Sequence, residues 1–343
     1  MLRRKLPFCY IIGPIGFFPS CRSPYGNEKV YTQVNFLFDC CFSYANYYLL
    51  FMILILGSSG YLGSTFVNHC VRNAMEFVGL SRSDVDYTNR DALFSFLQTN
   101  QPKLLINAAG YTGKPNVDAC ESDKANCLMG NAVFPGIVRE VCEDLGIPWG
   151  HVSSGCIYSG KRPDGRGWTE EDPPNFSFRS PPCSFYSGTK ALGEEILDGA
   201  ENCFVWRLRI PFNSNSSPRN YLRKLLNYEH LLEAENSISH LNEFVEKCLA
   251  CFSKEVEPGI YNMTNQGSIL TSQVTTWMKE EGVSDKLFSF FQDETDFMDR
   301  AAKAHRSNCV LDTEKAKKAG VGMRPVEEVV RQSLRQMKQE VTT

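Results

Sequence analysis

The stretch MILILGSSGYLG at residues 52–63 constrains the fold of this chain more than any other. An unbroken apolar run that ends at glycine suits a central parallel strand covered on both faces. Gly57 permits a sharp exit from the strand, Gly60 lets backbone N–H groups approach a pyrophosphate, and Gly63 lets the next helix pack close to the sheet. The helix amino end adds a partial positive charge. A G-x-x-G-x-x-G turn alone leaves two interpretations open, a dinucleotide cradle or a structural glycine turn.

The glycine turn opens an alternation of predicted strands and helices. Helices are expected at residues 63–73 and 88–99, and strands at residues 76–80, 103–106 and 147–153. Because this order repeats strand, helix and parallel strand, it predicts an α/β fold with a right-handed, doubly wound parallel sheet, the Rossmann arrangement.

The carboxyl third is expected to form a smaller, substrate-binding lobe. A strand at residues 203–209 is followed by residues 211–220, whose Asn, Ser and Pro content predicts a loop. Beyond it we predict a strand near residues 260–263 and helices near residues 271–281 and 325–337. The expected domains are therefore residues 52–210, which bind the nucleotide, and residues 211–340, which return some strands to the sheet.

Composition excludes several classes of protein. The net charge of −3 leaves no surplus of Lys and Arg for a nucleic-acid surface. The 14 cysteines are scattered along 343 residues, which is too long a chain to depend on a disulfide framework. Cys248 and Cys251 form the only C-x-x-C, and within a predicted helix they are expected to be packed thiols. No metal site is predicted.

Residues 1–51 do not match the rest of the chain. They begin MLRRK and continue into a short apolar run, which imitates a secretory signal. Pro14 interrupts that run, and its length is too short for a membrane-spanning helix. A signal or anchor, a disordered extension and a misassigned start are the alternatives. We expect an extra or misassigned leader outside the fold, and no membrane partner.

Residues after the second and third strands suit a nicotinamide dinucleotide. Where a ribose-binding carboxylate would favour NAD, the sequence has Ser81, Arg82 and Ser83, and Arg82 offers a bidentate partner for a 2′-phosphate. Asp86 nearby keeps NAD as the alternative, and a solvated loop charge is the alternative role of Arg82. The third strand ends in four residues that leave room for a cofactor at the sheet edge: Asn107, Ala108, Ala109 and Gly110.

Tyr186 and Lys190 are the second strong signal. Their i, i+4 spacing in a predicted helix places both side chains on one face. An adjacent ammonium favours the phenolate form of a tyrosine, which tunes it as a proton donor. A Tyr and a Lys at this spacing, taken alone, more often have a structural role than a catalytic one. Here Ser154 ends the fourth strand. Its hydroxyl is expected to hydrogen-bond the substrate oxygen to which Tyr186 would donate its proton.

A set of further motifs carries a family resemblance: NAAGYTGKPNVD at 107–118 with Cys120-Glu121, SGCIY at 154–158, EEDPPNF at 170–176, SFYSGTK at 184–190, SPRN at 217–220, NMTN at 262–265 and HRSN at 305–308. From residue 52 to about residue 336 the chain resembles the extended short-chain dehydrogenase/reductases. Within them it is similar to the dTDP-4-dehydrorhamnose reductase family, above all to the epimerase-reductases of plant-type UDP-rhamnose synthases.

The resemblance implies roles for particular residues. Ser154, Tyr186 and Lys190 match the hydride-transfer triad, in which tyrosine protonates the C4 oxygen while lysine holds the nicotinamide ribose and lowers the tyrosine pKa. Cys156 and Lys224 match the epimerisation pair, a thiolate that removes the protons at C3 and C5 and an opposing acid. For Cys156 the alternative is a small residue packed behind the nicotinamide, and for Lys224 a solvated helix face.

Other contacts are also implied only by the resemblance. The cofactor NADPH, with NADH as the alternative, would meet Ser59, Gly60, Tyr61, Leu62 and Asn131. The nucleotide sugar would meet Thr112, Lys114, Asn116, Arg219 and Asn220. The expected activity is reduction of a nucleotide-linked 4-keto-6-deoxyhexose to a nucleotide L-rhamnose with 3,5-epimerisation; a 4-reductase alone and a non-catalytic NADP-binding subunit are the alternatives. A cytoplasmic location is expected, and assembly as a homodimer is left open, as is the choice of UDP or dTDP.

Overall fold

The computed structural model describes residues 52–114 and 116–342, so the predicted leader at residues 1–51 lies outside the described residues. The strands in this part of the chain are β1 Ile53–Leu56, β2 Phe77–Leu80, β3 Leu104–Asn107, β4 Trp149–Ser154, β5 Cys203–Leu208, β6 Pro211–Phe212, β7 His230–Leu231, β8 Glu235–Asn236, β9 Ser239–His240, β10 Gly259–Asn262, β11 Ile269–Leu270 and β12 Ser289–Phe290.

The helices of the same residues are α1 Gly63–Arg72, α2 Arg90–Asn100, α3 Lys124–Leu128, α4 Phe134–Leu145, α5 Phe185–Ile196, α6 Tyr221–Asn227, α7 Leu241–Ser253, α8 Thr271–Glu280, α9 Glu294–Ala301, α10 Glu314–Lys318 and α11 Val326–Thr342. A π-helical turn, Met129–Val133, joins α3 to α4, and 3₁₀ turns lie at Val117–Glu121 and Gly155–Ile157. No helix among the described residues is long and apolar enough to cross a membrane.

The main sheet is parallel throughout and has the strand order β2-β1-β3-β4-β5-β10. Ile53 in β1 pairs with Phe77 on one side and with Leu104 on the other. The chain therefore changes direction across the sheet between β1 and β3, and a crevice forms beyond the carboxyl ends of these strands. This confirms the predicted doubly wound fold. Strand β10 is the one that returns from the carboxyl third.

The sequence of β1 explains why helices cover both faces. Alternate side chains of a strand point to opposite faces. Ile53 and Ile55 pack into one buried cluster with Phe66 of α1 and Phe244 of α7. Leu54 and Leu56 pack into a second cluster, whose other members include Leu93 of α2 and Val138 of α4. Because all four residues of β1 are at most 2% exposed, an uninterrupted apolar run is required there.

A third buried cluster forms the core of the carboxyl lobe. It joins α6, α8 and α11 through Leu222, Val274 and Val330. The predicted loop at residues 211–220 is wrong at its start, because Pro211 and Phe212 pair in parallel with Ser239 and His240. The fully buried Phe212 ring explains why this segment is held in a strand. On α7, Cys248 and Cys251 lie in the core of the main sheet, as expected for packed thiols.

Candidate active site

The glycine turn after β1 has the close backbone approaches that a phosphate cradle requires. Gly57 has φ +74°, and a Cβ on it would lie 2.8 Å from the Ala109 backbone. A Cβ on Gly63 would lie 2.0 Å from the Gly57 carbonyl oxygen. Only glycine fits these two positions, which brings α1 and the end of β3 against the turn. Ala108 and Ala109, which follow β3, form the neighbouring wall.

The cleft beside this turn suits a pyrophosphate. It measures about 340 Å³ and lies between the start of α1 and the loop before α6; its lining includes Ser59, Gly60, Tyr61 and Arg219. The first N–H groups of a helix have no intrahelical acceptor, and Leu62 directly precedes α1. The Tyr61 phenol oxygen is buried with no hydrogen-bond partner, and burial raises its pKa. The residues present therefore fit a dinucleotide.

The turn after β2 presents a cation where the adenosine ribose would lie. Arg82 is exposed. Asp86 Oδ1 accepts a hydrogen bond from Thr88 Oγ1 at 2.6 Å, and Asp84 Oδ2 accepts one from the Ser81 backbone N–H at 2.8 Å. Asp86 is exposed and accepts this bond through one oxygen, so its expected contact with the cofactor stays a prediction. Arg82 is the side chain of this turn that suits a 2′-phosphate.

Asn107 at the end of β3 does not face the cleft as expected. Its side chain is fully buried, its Nδ2 lies 3.1 Å from His151 Nδ1, and its Oδ1 accepts a hydrogen bond from the Ala109 N–H at 3.1 Å. Both ends of the amide are thus used inside the protein. We correct its role from cofactor contact to support of the turn that carries Ala109.

Asn131 has a similar supporting role. Its Oδ1 accepts from the Tyr111 N–H at 2.9 Å, and its Nδ2 donates to the Tyr111 carbonyl at 2.8 Å and to Thr189 Oγ1 at 3.2 Å. The residue is fully buried in the π-helical turn. It therefore ties the segment after β3 to the helix of the predicted triad, and this replaces the expected direct contact with the cofactor.

The structure brings Ser154, Tyr186 and Lys190 together at the carboxyl edge of the sheet. Ser154 is the last residue of β4, and both other residues lie in the first two turns of α5. Lys190 is 5% exposed, and its Nζ donates to the Val152 carbonyl at 3.3 Å. A Cβ on Gly110 would lie 3.5 Å from Lys190 Nζ. The end of the NAAG segment thus lies directly beside the lysine ammonium.

The pKa of Tyr186 is set mainly by burial. Burial raises the pKa of its phenol well above the ordinary value, and the hydrogen bond with Ser154 acts in the opposite direction as a smaller effect. Burial also lowers the pKa of Lys190. Desolvation disfavours the charged phenolate, so the net direction of the tyrosine pKa is upward. The lowering of that pKa which the resemblance attributes to Lys190 is a separate contribution and stays a prediction. The phenol is protonated at neutral pH.

Cys156 lies beside this triad. It is 5% exposed in the 3₁₀ turn after β4, and its backbone N–H donates to Ser154 Oγ at 3.2 Å. Burial raises the pKa of the thiol, while hydrogen bonds with Ser154 and Ser187 and the charges of Arg209 and Lys190 lower it. The thiol thus combines an apolar enclosure with cationic neighbours.

Lys224 of α6 lies near two other cations, Arg219 and Arg306. Burial is the main cause that lowers its pKa, and the charges of Arg219 and Arg306 lower it further. Arg219 Nη1 donates to Thr112 Oγ1 at 2.9 Å, which links the loop before α6 to the segment after β3. Arg306 forms a two-pronged ion pair with Asp118, at 2.7 and 2.8 Å. Arg306 lies in the HRSN motif at 305–308, but the sequence assigned it no role.

The remaining residues that were expected to contact the substrate differ in exposure and in hydrogen bonding. Lys114 is exposed, and Asn116 accepts from the Asp118 N–H at 2.8 Å to begin a 3₁₀ turn. Asn220 is fully buried; it caps α6 and its Nδ2 donates to the carbonyls of Asn213 and Asn215 at 2.7 and 2.8 Å. Its amide is used within its own loop. We therefore correct Asn220 from a substrate contact to a residue that shapes the loop carrying Arg219.

The sequence prediction also missed a buried ion pair that supports the triad. Glu194, one turn after Lys190, binds Arg207 of β5 at 2.8 Å, and Ser153 Oγ donates to Glu194 Oε1 at 2.6 Å. Both charged side chains are buried, at 7% and 3% exposure. The i, i+4 spacing of Lys190 and Glu194 was visible in the sequence, but the arginine partner required the strand pairing.

The chain matches the family model described as the RmlD substrate binding domain over residues 51–339. A similar protein is the bifunctional dTDP-4-dehydrorhamnose 3,5-epimerase/dTDP-4-dehydrorhamnose reductase of Arabidopsis thaliana. It is 31% identical over 273 residues, which cover 78% of this chain and 87% of that protein.

Two solved structures share the fold. The UDP-rhamnose synthase L780 of Acanthamoeba polyphaga mimivirus has a TM-score of 0.77 at 22% identity, over 83% of this chain and 99% of that one. The dTDP-4-dehydrorhamnose reductase of Bacillus anthracis, solved in complex with NADP, has a TM-score of 0.69 at 17% identity, over 84% and 99% of the two chains.

Proposed function

The chain belongs to the family of the RmlD substrate binding domain, and from that membership and the geometry of its site we propose that it makes a nucleotide L-rhamnose by reducing a nucleotide-linked 4-keto-6-deoxyhexose. It is an oxidoreductase of the dTDP-4-dehydrorhamnose reductase type and uses NADPH. The observation that carries the proposal is the convergence of Ser154, Tyr186 and Lys190 beside the glycine cradle, at the crevice where the strand order reverses.

The reduction needs a proton donor and a group that polarises the ketone. NADPH, when bound, supplies the hydride that reaches C4. The Ser154 hydroxyl donates a hydrogen bond to the C4 oxygen, and the Tyr186 phenol transfers its proton to that oxygen. Because burial raises the phenol pKa, the proton is present at neutral pH. The Lys190 ammonium would hold the nicotinamide ribose, and it stabilises the phenolate that remains.

We propose in addition that the same site epimerises the sugar at C3 and C5. Both carbons are α to the C4 ketone, so their protons are acidic. The Cys156 thiolate takes such a proton: the C–H bond breaks, an S–H bond forms, and the electron pair moves onto the C4 oxygen, where Ser154 and Tyr186 donate hydrogen bonds. Protonation from the opposite face by the Lys224 ammonium inverts the carbon. The lowered pKa of Lys224 suits an acid that must give up a proton.

The base of the nucleotide is the least determined part of the substrate. The plant relative is named for dTDP sugars and the viral structure for a UDP sugar. Dehydration is not proposed, because Gly155 and Cys156 stand where the related 4,6-dehydratases carry Asp-Glu. A cytoplasmic location and assembly as a homodimer stay predictions.

Parallel turnover measurements test the reductase proposal. The purified chain is given NADPH and either the UDP or the dTDP 4-keto-6-deoxyhexose, and the loss of absorbance at the nicotinamide band is followed with NMR of the product. We expect turnover with at least one of the two sugars and L-rhamnose as product. Cofactor binding without turnover on both would refute the proposal and favour the non-catalytic subunit.

Cys156→Ser tests the epimerase part separately. A serine hydroxyl is a much weaker base than a thiol at neutral pH and has nearly the same volume. We expect deuterium incorporation from solvent at C3 and C5 to be lost, while reduction of an already epimerised ketone persists. The measurement is NMR of the sugar ring in deuterated water. Unchanged incorporation in the variant would remove Cys156 from the mechanism, and none in the wild type would leave a 4-reductase alone.

A further inference from the structure

Arg209 lies next to the turn that carries Cys156. Strands β4 and β5 pair in a register that places Ser154 opposite Leu208. Arg209, the residue that directly follows β5, therefore falls beside Gly155, the residue between Ser154 and Cys156. A Cβ on Gly155 would lie 3.6 Å from Arg209 Cδ, the atom to which the guanidinium Nε is bonded. The arginine side chain thus packs directly against the turn that carries Cys156.

The Arg209 guanidinium is buried but not fully paired. The residue is 7% exposed, and its Nη2 donates to Asn236 Oδ1 at 2.7 Å and to the Ser307 carbonyl. Its Nε is buried and has no hydrogen-bond partner. A buried, charged donor without an acceptor is costly. Its partners are neutral amide and carbonyl oxygens, so the positive charge is not neutralised by a carboxylate among them.

The other polar groups around Cys156 come from each element packed on its turn. They are Ser154 from β4, Ser187, Tyr186 and Lys190 from α5, Cys183 from the preceding loop, and Cys309, whose Sγ donates to the Gly155 carbonyl at 3.2 Å. Of these, Lys190 is the cation, and the reduction already uses it. The charge of Arg209 also lowers the pKa of the Cys156 thiol, against the raising effect of burial.

We propose that Arg209 is a positioning residue of the epimerase reaction, whose guanidinium stabilises the thiolate of Cys156. This inference rests on the proposed epimerisation. During proton removal at C3 or C5 the negative charge leaves sulfur for the C4 oxygen, and the thiol regains its anionic form by losing that proton to solvent. Arg209 acts when the thiol loses its proton to solvent, because the thiolate must then form again in a buried place. Reduction at C4 does not involve a thiolate and is independent of Arg209.

The test compares Arg209→Gln with Arg209→Lys, which keeps the charge. Deuterium incorporation at C3 and C5 is measured by NMR from pH 6 to 10, and reduction of the epimerised ketone is measured in parallel. An opposite charge at contact distance shifts a pKa by about 1–3 units, so below the thiol pKa Arg209→Gln should lose about tenfold or more of the exchange rate. The pH of half-maximal exchange should move upward by about one unit or more. Arg209→Lys should keep a midpoint near that of the wild type.

A matched control is Arg139→Gln. Arg139 is also partly enclosed, and its Nη1 donates to the carbonyls of Ile196 and Asp198 at 2.8 Å, at the far end of α5. Arg139→Gln should leave the pH dependence of deuterium exchange unchanged. Equal profiles for the wild type and Arg209→Gln would overturn the inference while leaving epimerisation intact. No exchange by the wild type at any pH would instead refute the epimerase proposal and with it this inference.

The lysine variant keeps the test decisive if Arg209→Gln does not fold. A folded Arg209→Lys that reduces the ketone and exchanges deuterium with the wild-type midpoint would support the charge as the cause. The loss of exchange at every pH in that variant, with reduction kept, would show that the charge does not suffice and would overturn the inference.

Discussion

Replacing Glu194 with alanine removes the carboxylate that holds α5 against the sheet. Arg207 donates to Glu194 through Nε and Nη2, at 3.0 and 2.8 Å to Oε2, and Ser153 Oγ donates to Oε1 at 2.6 Å. The two charged side chains are 3% and 7% exposed. The substitution therefore leaves a buried guanidinium without the carboxylate that it is hydrogen-bonded to, and a buried hydroxyl without its acceptor.

The expected loss of stability is large. Breaking a buried ion pair by removing one partner costs about 3–5 kcal/mol, because the remaining charge stays desolvated. Arg207 cannot relieve this by losing its proton, because a guanidinium does not deprotonate in proteins. The packing of the guanidinium against the Tyr158 ring, at 5.2 Å, also holds it in place. We expect the free energy of unfolding to fall by roughly this amount.

The assay is equilibrium unfolding in urea, followed by circular dichroism. The control is Glu195→Ala on the next residue of the same helix, whose carboxylate pairs with Arg179 at the surface, where the two side chains are 40% and 79% exposed. Exposed pairs contribute little, so the control should unfold close to the wild type. A loss that is equal in the two variants, or a Glu194→Ala midpoint at the wild-type value, would refute the reasoning.

Three further predictions address binding, the loop before α6 and the leader. Arg82→Ala should weaken NADPH binding by about 1.5–3 kcal/mol and NADH binding much less, because only NADPH offers a 2′-phosphate; titration calorimetry with both cofactors checks this, and equal losses would make Arg82 structural. Asn220→Ala should lower stability by about 0.5–2 kcal/mol through the lost helix cap, and an unchanged melting temperature would contradict its capping role. Deletion of residues 1–51 should leave a folded enzyme that binds NADPH, and failure to fold would show that the leader belongs to the structure.

The fold could be predicted from sequence because its signals are local. The apolar run at residues 53–56 requires burial on both faces, and Gly57 and Gly63 after it have no tolerated substitute. The positions of Tyr186 and Lys190 on one helix follow from their spacing alone. In each case the residue type and its neighbours in the sequence determine the environment, so no long-range contact had to be known.

The parts that were missed depend on contacts between distant segments. Arg209 lies beside Gly155 only through the register of β4 and β5, and Arg306 pairs with Asp118 across 188 residues of sequence. Asn107 has the residue type of a ligand-binding side chain, but its amide is used by His151 and by its own turn. The raised pKa of Tyr186 reflects burial, which a motif does not reveal.

Tyr186→Phe tests the central claim most directly, because it removes the phenol oxygen and keeps the ring. NADPH binding is measured by fluorescence titration, and reduction of the 4-keto sugar nucleotide is measured at saturating cofactor. We predict that turnover falls by about 100-fold or more while the affinity for NADPH stays near that of the wild type. Turnover near the wild-type rate in a folded Tyr186→Phe would contradict the assignment of Tyr186 as the proton donor, and with it the account of the site.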